Sequence, residues 1–373
     1  MICGTRGTAD ALLNLALFTP VGLLLGGRRH ALLIAGAVGL VLSVGIETAQ
    51  LFIPGRHPTL GDIVWNGLGG PVGVGLWHVL RARSHGSTRF PAWAGGMTAA
   101  GLGSLVLLAG WLLAPLPTEG GYWGQWTPIR SSMSPYRGEL LGARLDGRPV
   151  PRGRFPEEWL VHEDLAGDWT IEVILVVGPP PRRIAPILTL GDDEEQEIVM
   201  LGTREADLVL RERTRAVAAR LDQPDLRVPG ALAAHAQSDS LAIFARRSGP
   251  SRCLGVESAE VCGLRWTPGR TWSLLLYPAG LSPQARSTLD ALWMLMIFGV
   301  VGFLSVNPGR AVAHGAVLTG LVSLAPFVTR LHFLPALEVV GALAGLGLGY
   351  LAGALSEQGI SLGGVSAADR VAP

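Results

Sequence analysis

The chain has 373 residues, of which 49% are hydrophobic and 16% charged, with a net charge of +1 and a mean hydropathy of +0.38. An ordinary soluble domain carries roughly 25% charged residues, so a single globular domain is excluded. The near-zero balance also leaves no basic surplus for a nucleic-acid partner. Of the 29 acids, 22 lie between residues 116 and 287, together with 20 of the 30 basic residues, every one an arginine. A polar block is therefore set between two apolar ones.

A bilayer-spanning helix needs about 20 mostly apolar residues. Four such stretches come first: Ala9–Leu25, Ala31–Ile53, Leu60–Leu80 and Ala92–Pro115. No small-residue cleavage site follows the first of them, so it reads as a helix and not as a cleaved signal peptide.

From about Glu119 to Arg286 the pattern changes to short β-type runs. They are Asp168–Val177, Ile187–Leu190, Glu197–Leu201, Asp207–Arg211, Ser240–Ala245 and Thr271–Tyr277, separated by turn signals such as Gly178-Pro-Pro-Pro181 and Gly191-Asp-Asp193. Many short strands at near-regular spacing predict an antiparallel sandwich. Three further spans follow: Thr288–Val306, Ala311–Thr329 and Phe333–Leu355.

The expected fold is thus an α-helical polytopic membrane protein of about seven spans with an inserted all-β jelly-roll sandwich. Its parts are residues 1–115, a sandwich at 116–287, a second membrane block at 288–356 and a flexible tail at 357–373. The order of elements in the sandwich resembles a concanavalin A-like, laminin-G-like domain. That resemblance implies sugar binding and, in some cases, calcium binding. Gly191-Asp-Asp-Glu-Glu195 reads either as oxygen ligands for calcium or as a solvated acidic turn. Tyr122, Trp123 and Trp126 read either as a sugar-stacking surface or as aromatics at the membrane interface.

Arginines in short loops set the orientation. Arg28, Arg29, Arg81, Arg83, Arg89 and Arg310 fall on one side and Arg6, Arg56 and Arg330 on the other. The richer side is expected to be cytoplasmic, which puts the sandwich and the Pro54–Thr59 loop outside. Cys253 and Cys262, nine positions apart in the sandwich, fit a disulfide across a hairpin in an oxidising compartment. The histidines show no metal-ligand spacing and the cysteines have no base partner, so neither a metal nor a cofactor is expected.

Ionisable groups inside spans are costly and mark function or a buried polar network. Ser43, Glu47 and Gln50 lie at i, i+4 and i+7 on one helical face; Asp62, Asn66 and Gly69 repeat that spacing on the next helix. A short loop carrying Arg56 makes these helices antiparallel neighbours. Asn14 supplies a polar group from the first helix, and Glu47 lies about 9 Å below the outer end of its own. The candidate pocket is therefore Asn14, Ser43, Glu47, Gln50, Arg56, Asp62 and Asn66. Arg56 would hold a phosphate or carboxylate, or be held itself by Glu47 and Asp62.

The series Asn14, Phe18, Pro20, Gly22, Ser43, Glu47, Gln50, Arg56, Asp62, Asn66 and Gly69 resembles the VanZ-like family over about residues 9–115. The family is named for a member associated with low-level teicoplanin resistance. The resemblance implies an integral protein of the bacterial envelope concerned with glycopeptide response or cell-surface polymers. Expected partners are membrane lipids and a cell-wall precursor or glycan. Family members usually carry a spanning helix ahead of the asparagine-bearing one; here that helix is absent or an upstream start supplies it.

A shift of 276 residues places Asp62 on Glu338, Gly69 on Gly345, Gly73 on Gly349 and Arg56 on His332. Asn66 falls on Ala342, and the sixth span has no counterpart of Glu47. This is either a degenerate half-copy or two glycine-rich helices that each open with an acid. Glu338 is a second intramembrane candidate, with Arg330 as its expected partner. Asp290 is expected to cap the fifth span or sit among headgroups.

Overall fold

The structure is a computed structural model. It describes residues 6–53, 59–84, 91–116, 120–130, 133–194, 196–278, 280–329 and 331–368, with 358–368 as backbone alone. Four helices come first: α1 (Gly7–Leu25), α2 (Ala31–Gln50), α3 (Leu60–Ser84) and α4 (Ala94–Leu112). The sandwich follows as β1 (Tyr122–Trp126), β2 (Glu139–Leu145), β3 (Arg148–Pro149), β4 (Gly153–Arg154), α5 (Glu158–Ala166), β5 (Trp169–Val176), β6 (Ala185–Asp192), β7 (Glu197–Arg204), β8 (Asp207–Glu212), α6 (Arg215–Ala218), β9 (Leu226–Val228), β10 (Ser240–Ser248), β11 (Ser251–Val256) and β12 (Ala259–Leu264). The helices α7 (Pro283–Leu304), α8 (Pro308–Val328) and α9 (Ala336–Ala368) close the chain. α9 thus continues into the stretch expected as a flexible tail.

Local sequence explains the helix starts. Ser282 accepts from the Ala285 amide at 3.2 Å ahead of Pro283, and Asn307 accepts from the Arg310 amide at 2.9 Å ahead of Pro308. Both are polar N-caps followed by a proline that has no amide proton to leave unpaired. Among the described residues, six helices are long and apolar enough to cross a membrane: α1, α2, α4, α7, α8 and α9 up to Glu357. The third expected span is helical, but Asp62, Asn66, His78, Arg81 and Arg83 make it too polar to join them. It packs against α1 and α2 instead.

These helices turn large apolar side chains outward, among them Leu24, Leu33, Leu105, Val312 and Leu343. A soluble monomer rarely exposes so much contiguous apolar surface; a lipid environment makes it the stable arrangement. Between the helices, where lipid removes the hydrophobic drive, contact depends on small residues and polar bonds.

The sandwich has two six-stranded antiparallel sheets, ordered β4-β1-β6-β7-β8-β9 and β12-β11-β10-β5-β2-β3. The alternation read from Trp169-Thr-Ile-Glu-Val-Ile-Leu175 is realised: Trp169, Ile171, Val173 and Leu175 point into the core. They meet Leu241, Ile243 and Ala245 of β10 beside them and the wholly buried β6 of the facing sheet. Beneath the apolar core lies a buried ionic knot. Glu212 accepts from Arg252 at 2.6 Å and from Arg247 at 3.4 Å, all three side chains being almost sealed from solvent. Removing Glu212 leaves two buried guanidinium groups with backbone carbonyls as acceptors and no carboxylate between them. Glu212→Ala should therefore destabilise the sandwich by about 3–5 kcal/mol, read as a fall in its thermal midpoint.

Cys253 and Cys262 are joined by a disulfide between β11 and β12. In the chain-entropy account a loop this short contributes about 2–3 kcal/mol. Reductant should lower the melting point of the sandwich modestly and leave its helical signal intact.

Three expectations are corrected. The strand expected over Thr271–Tyr277 is a 3₁₀ turn, Pro268–Leu274; Pro268 cannot donate to a ladder, and the side chains of Thr271 and Trp272 are used elsewhere. Asp290 is neither a cap nor a headgroup residue. It is buried inside α7, where the Arg270 Nε and Nη2 reach its oxygens at 2.6 to 3.0 Å and the Trp272 indole donates at 2.8 Å. Arg83, counted among the loop arginines, is buried and donates to the carbonyls of Phe303 at 2.9 Å and Ser305 at 3.0 Å, with Glu357 as its ion pair. It fastens α3 to the far ends of α7 and α9.

The sandwich sits at the end of the bundle where α1, α7 and α9 begin and α4 stops. The Thr8 and Ala9 amides donate to the Arg220 carbonyl at 3.1 and 3.3 Å, Arg6 pairs with Asp222 at 3.0 Å, and Arg215 donates its amide to Ala114 at 3.1 Å. Glu338, at the head of α9, accepts from the Gly269 amide at 2.8 Å and from the Thr267 hydroxyl.

Candidate functional site

The polar residues of the first three helices meet at the sandwich-side end of the bundle. Glycines make this possible: α1 and α3 touch backbone to backbone, so that a Cβ added at Gly73 would lie 1.9 Å from the Thr19 carbonyl oxygen. At that separation short side chains reach across. The Asn14 amide donates to Asp62 Oδ1 at 2.6 Å, linking α1 to α3. One turn deeper, Asn66 donates to the Ser43 hydroxyl at 2.9 Å, linking α3 to α2. Glu47 accepts from the Thr59 amide at 2.9 Å, and the Thr59 hydroxyl in turn accepts from the Asp62 amide at 3.1 Å at the start of α3.

Asn14, Ser43, Glu47, Asp62 and Asn66 are thus brought together. Gln50 is half-buried, and its side chain makes no hydrogen bond among the described residues. Arg56 lies outside the described residues, as does Arg330. The bonds do not use the available acceptors fully. Asn66 Oδ1 is buried without a partner, and one oxygen each of Glu47 and Asp62 carries no bond among the described residues. Ser43, Glu47 and Asn66 are 0%, 5% and 4% exposed, so little water competes for these atoms.

Asp10 is exposed, and its side chain makes no hydrogen bond or ion pair among the described residues. It stands one turn before Asn14, in the first turn of α1, at the spacing that puts both on one face. The role of Arg270 was missed in the sequence. Its position after Pro268-Gly269 marked only a turn, whereas in space it neutralises Asp290.

The sandwich offers a separate groove of about 600 Å³, lined by Trp123, Gln125, Trp126, Glu139 and Arg152. The Arg152 guanidinium stacks 4.4 Å above Trp126, whose indole nitrogen is buried without a partner. Trp123 is 38% exposed and donates to Asp193 at 2.8 Å. That bond and one from the Gly121 amide at 2.9 Å hold the Asp193 carboxyl below the usual range. Asp192 pairs with Arg213 at 2.9 Å, so these two carboxylates of the acidic turn are already engaged. Glu260 approaches Cys253 and Cys262 closely enough to share a metal, but the disulfide consumes both sulfurs.

Comparison with curated proteins and with solved structures gives no match. The family model VanZ-LLP1, described as VanZ/LLP1, matches residues 2–81, the stretch from before α1 to the last turns of α3. The helices that carry Asn14, Ser43, Glu47, Asp62 and Asn66 therefore form a VanZ-like domain, with a β-sandwich inserted between it and the apolar helices that close the chain.

Proposed function

We propose that the chain is a multi-pass protein of the bacterial envelope whose VanZ-like domain receives the polar part of a lipid-linked or cell-wall molecule, and that it acts in resistance to teicoplanin-type glycopeptides. The pocket between α1, α2 and α3 opens to the cell exterior, on the same side as the sandwich. Arg28, Arg29, Arg81 and Arg310 at the opposite ends of the helices support that orientation, since basic loops stay in the cytoplasm.

The observation that carries the reading is the surplus of buried acceptors. If the polar residues only fastened helices, three bonds would suffice and nothing would favour leaving Asn66 Oδ1 unpaired. An unsatisfied buried polar group costs about 1–3 kcal/mol, a cost that an incoming donor removes. Glu47→Gln keeps the size of the side chain and the acceptor for Thr59 but alters the charge offered to a ligand. Glycopeptide susceptibility of cells expressing this variant should rise to that of cells lacking the protein, while the amount in the membrane stays unchanged. Equal falls in protein amount and in resistance would instead identify Glu47 as a helix fastener.

A second reading concerns the sandwich: a sugar-binding domain presented by membrane anchors. The exposed face of Trp123 beside Gln125, Glu139 and Arg152 supports it, because sugars pair aromatic stacking with hydrogen bonds. Trp123→Ala should then abolish retention of the protein on isolated cell-wall glycan without changing its melting point. Unchanged retention would remove this reading.

A further inference from the structure

The half-copy noticed at α9 extends to α7. Ten of the nineteen positions from Arg6 to Leu24 carry the residue found 280 positions later, among them Arg6/Arg286, Asp10/Asp290, Leu15/Leu295, Phe18/Phe298 and Gly22/Gly302. For α3 and α9 the offset is 276, a difference that four fewer residues between the second and third helices of the later unit would produce.

The packing obeys both offsets at once. A Cβ on Gly69 would meet the Leu15 carbonyl oxygen at 2.5 Å, and one on Gly345 the Leu295 oxygen at 2.2 Å. Gly73 meets Thr19 at 1.9 Å, and Gly349 meets Gly299 at 2.0 Å. Gly22 meets the Gly70 oxygen at 1.8 Å, and Gly302 the Leu346 oxygen at 2.2 Å. Two unrelated pairs of glycine-rich helices have no reason to repeat three contacts in one register. The packing of the two units is not identical. The Gly70 position of the first holds Leu346 in the second, where its side chain presses on Gly315, and α8 packs mainly on α4 where α2 packs on α3.

The two units differ at their sandwich-side ends. In the second, the acids Asp290 and Glu338 are filled by the chain itself. The Arg270 guanidinium lies on Asp290, and the Gly269 amide and Thr267 hydroxyl lie on Glu338. In the first unit Asp62 holds the position of Glu338, and Asp10, which is exposed, that of Asp290; no positively charged side chain meets either among the described residues. Arg6 is paired with Asp222. Glu47 adds a third carboxylate, and Asn66 Oδ1 a buried acceptor without a donor.

We propose that the membrane part is a tandem duplication of one three-helix unit, and that the first unit is an open site for a guanidinium or primary ammonium group, of which Arg270 in the second unit is the built-in counterpart. This rests on the reading of the first unit as a ligand pocket and adds the charge of the ligand. A cation with N–H donors satisfies Asp62, Glu47 and the buried Asn66 Oδ1 together, as Arg270 and its neighbours do for Asp290 and Glu338. A phosphate would meet only acceptors from these residues.

The test titrates full-length protein in lipid nanodiscs with butylguanidinium and, separately, with butyl phosphate, reading stoichiometry by calorimetry. Wild-type protein should bind one butylguanidinium per chain. Asp62→Asn should weaken that binding at least about tenfold, the value of one lost charged hydrogen bond. Arg270→Ala should open the second unit and raise the stoichiometry to two. Saturable butyl phosphate binding that Asp62→Asn leaves intact would overturn the cation assignment while sparing the pocket. Binding of neither probe would overturn both. Butylguanidinium binding only in Arg56→Ala would show that the chain fills its first site as it fills its second, and would overturn the open site.

Discussion

Gly73→Ala and Gly349→Ala should each cost at least about 3 kcal/mol, or prevent the protein from accumulating in a folded form. At both positions the added methyl would lie within 2.0 Å of a backbone oxygen on the facing helix, that of Thr19 or of Gly299. Backbone has no rotamer by which to yield, so the helices must part. Parting loses the van der Waals contact that holds apolar helices together in lipid, and separates Asn14 from Asp62 in the first unit. Gly75→Ala and Gly347→Ala provide the control: nothing lies within 4 Å of either position, so they should be neutral or stabilise by up to about 1 kcal/mol through helix propensity. Thermal unfolding followed by size-exclusion chromatography separates the two pairs. Equal behaviour of all four variants would contradict the close crossing.

Asp290→Ala should be similarly severe, at about 3–5 kcal/mol, because it strands the Arg270 guanidinium and the Trp272 indole without an acceptor in a buried place. The effect should be local in origin. Amide exchange over the 3₁₀ turn Pro268–Leu274 should accelerate most, since that turn is where the sandwich grips α7 and α9. Protease cleavage near residues 276–282 should appear before any loss of the sheet signal. A variant that unfolds as one unit, with no early release of this turn, would show that the grip lies elsewhere.

The broad architecture was legible because two periodicities are strong. Apolar stretches of about 20 residues marked the spans, and the alternation in β5 marked a half-buried strand. The meeting of polar side chains from α1, α2 and α3 was legible for a related reason. Ser43 with Glu47, and Asp62 with Asn66, each sit one helical turn apart, so their shared face follows from geometry alone. Less was visible where a tertiary partner decides the outcome. Thr271–Tyr277 has the composition of a strand, but Arg270 and Trp272 are drawn to Asp290, a residue distant in space until the helices assemble. Arg83 sits at a helix end like any cytoplasmic anchor, and only the carbonyls of Phe303 and Ser305 turn it inward. The repeat of α1 in α7 was hidden by its own offset, because a shift of 276 aligns α3 with α9 but misaligns the first helices by one turn.

The central proposal is that the polar cluster of α1, α2 and α3 faces the cell exterior beside the sandwich. Its most direct test places a single reactive cysteine at Thr59, whose amide donates to Glu47 at the sandwich-side end of the bundle, with Cys3 replaced by serine and the sandwich disulfide left intact. A membrane-impermeant maleimide applied to intact cells is expected to label Thr59→Cys, and prior blocking from outside to abolish labelling after lysis. Labelling that appears only once the membrane is broken would place that end of the bundle in the cytoplasm and contradict the account.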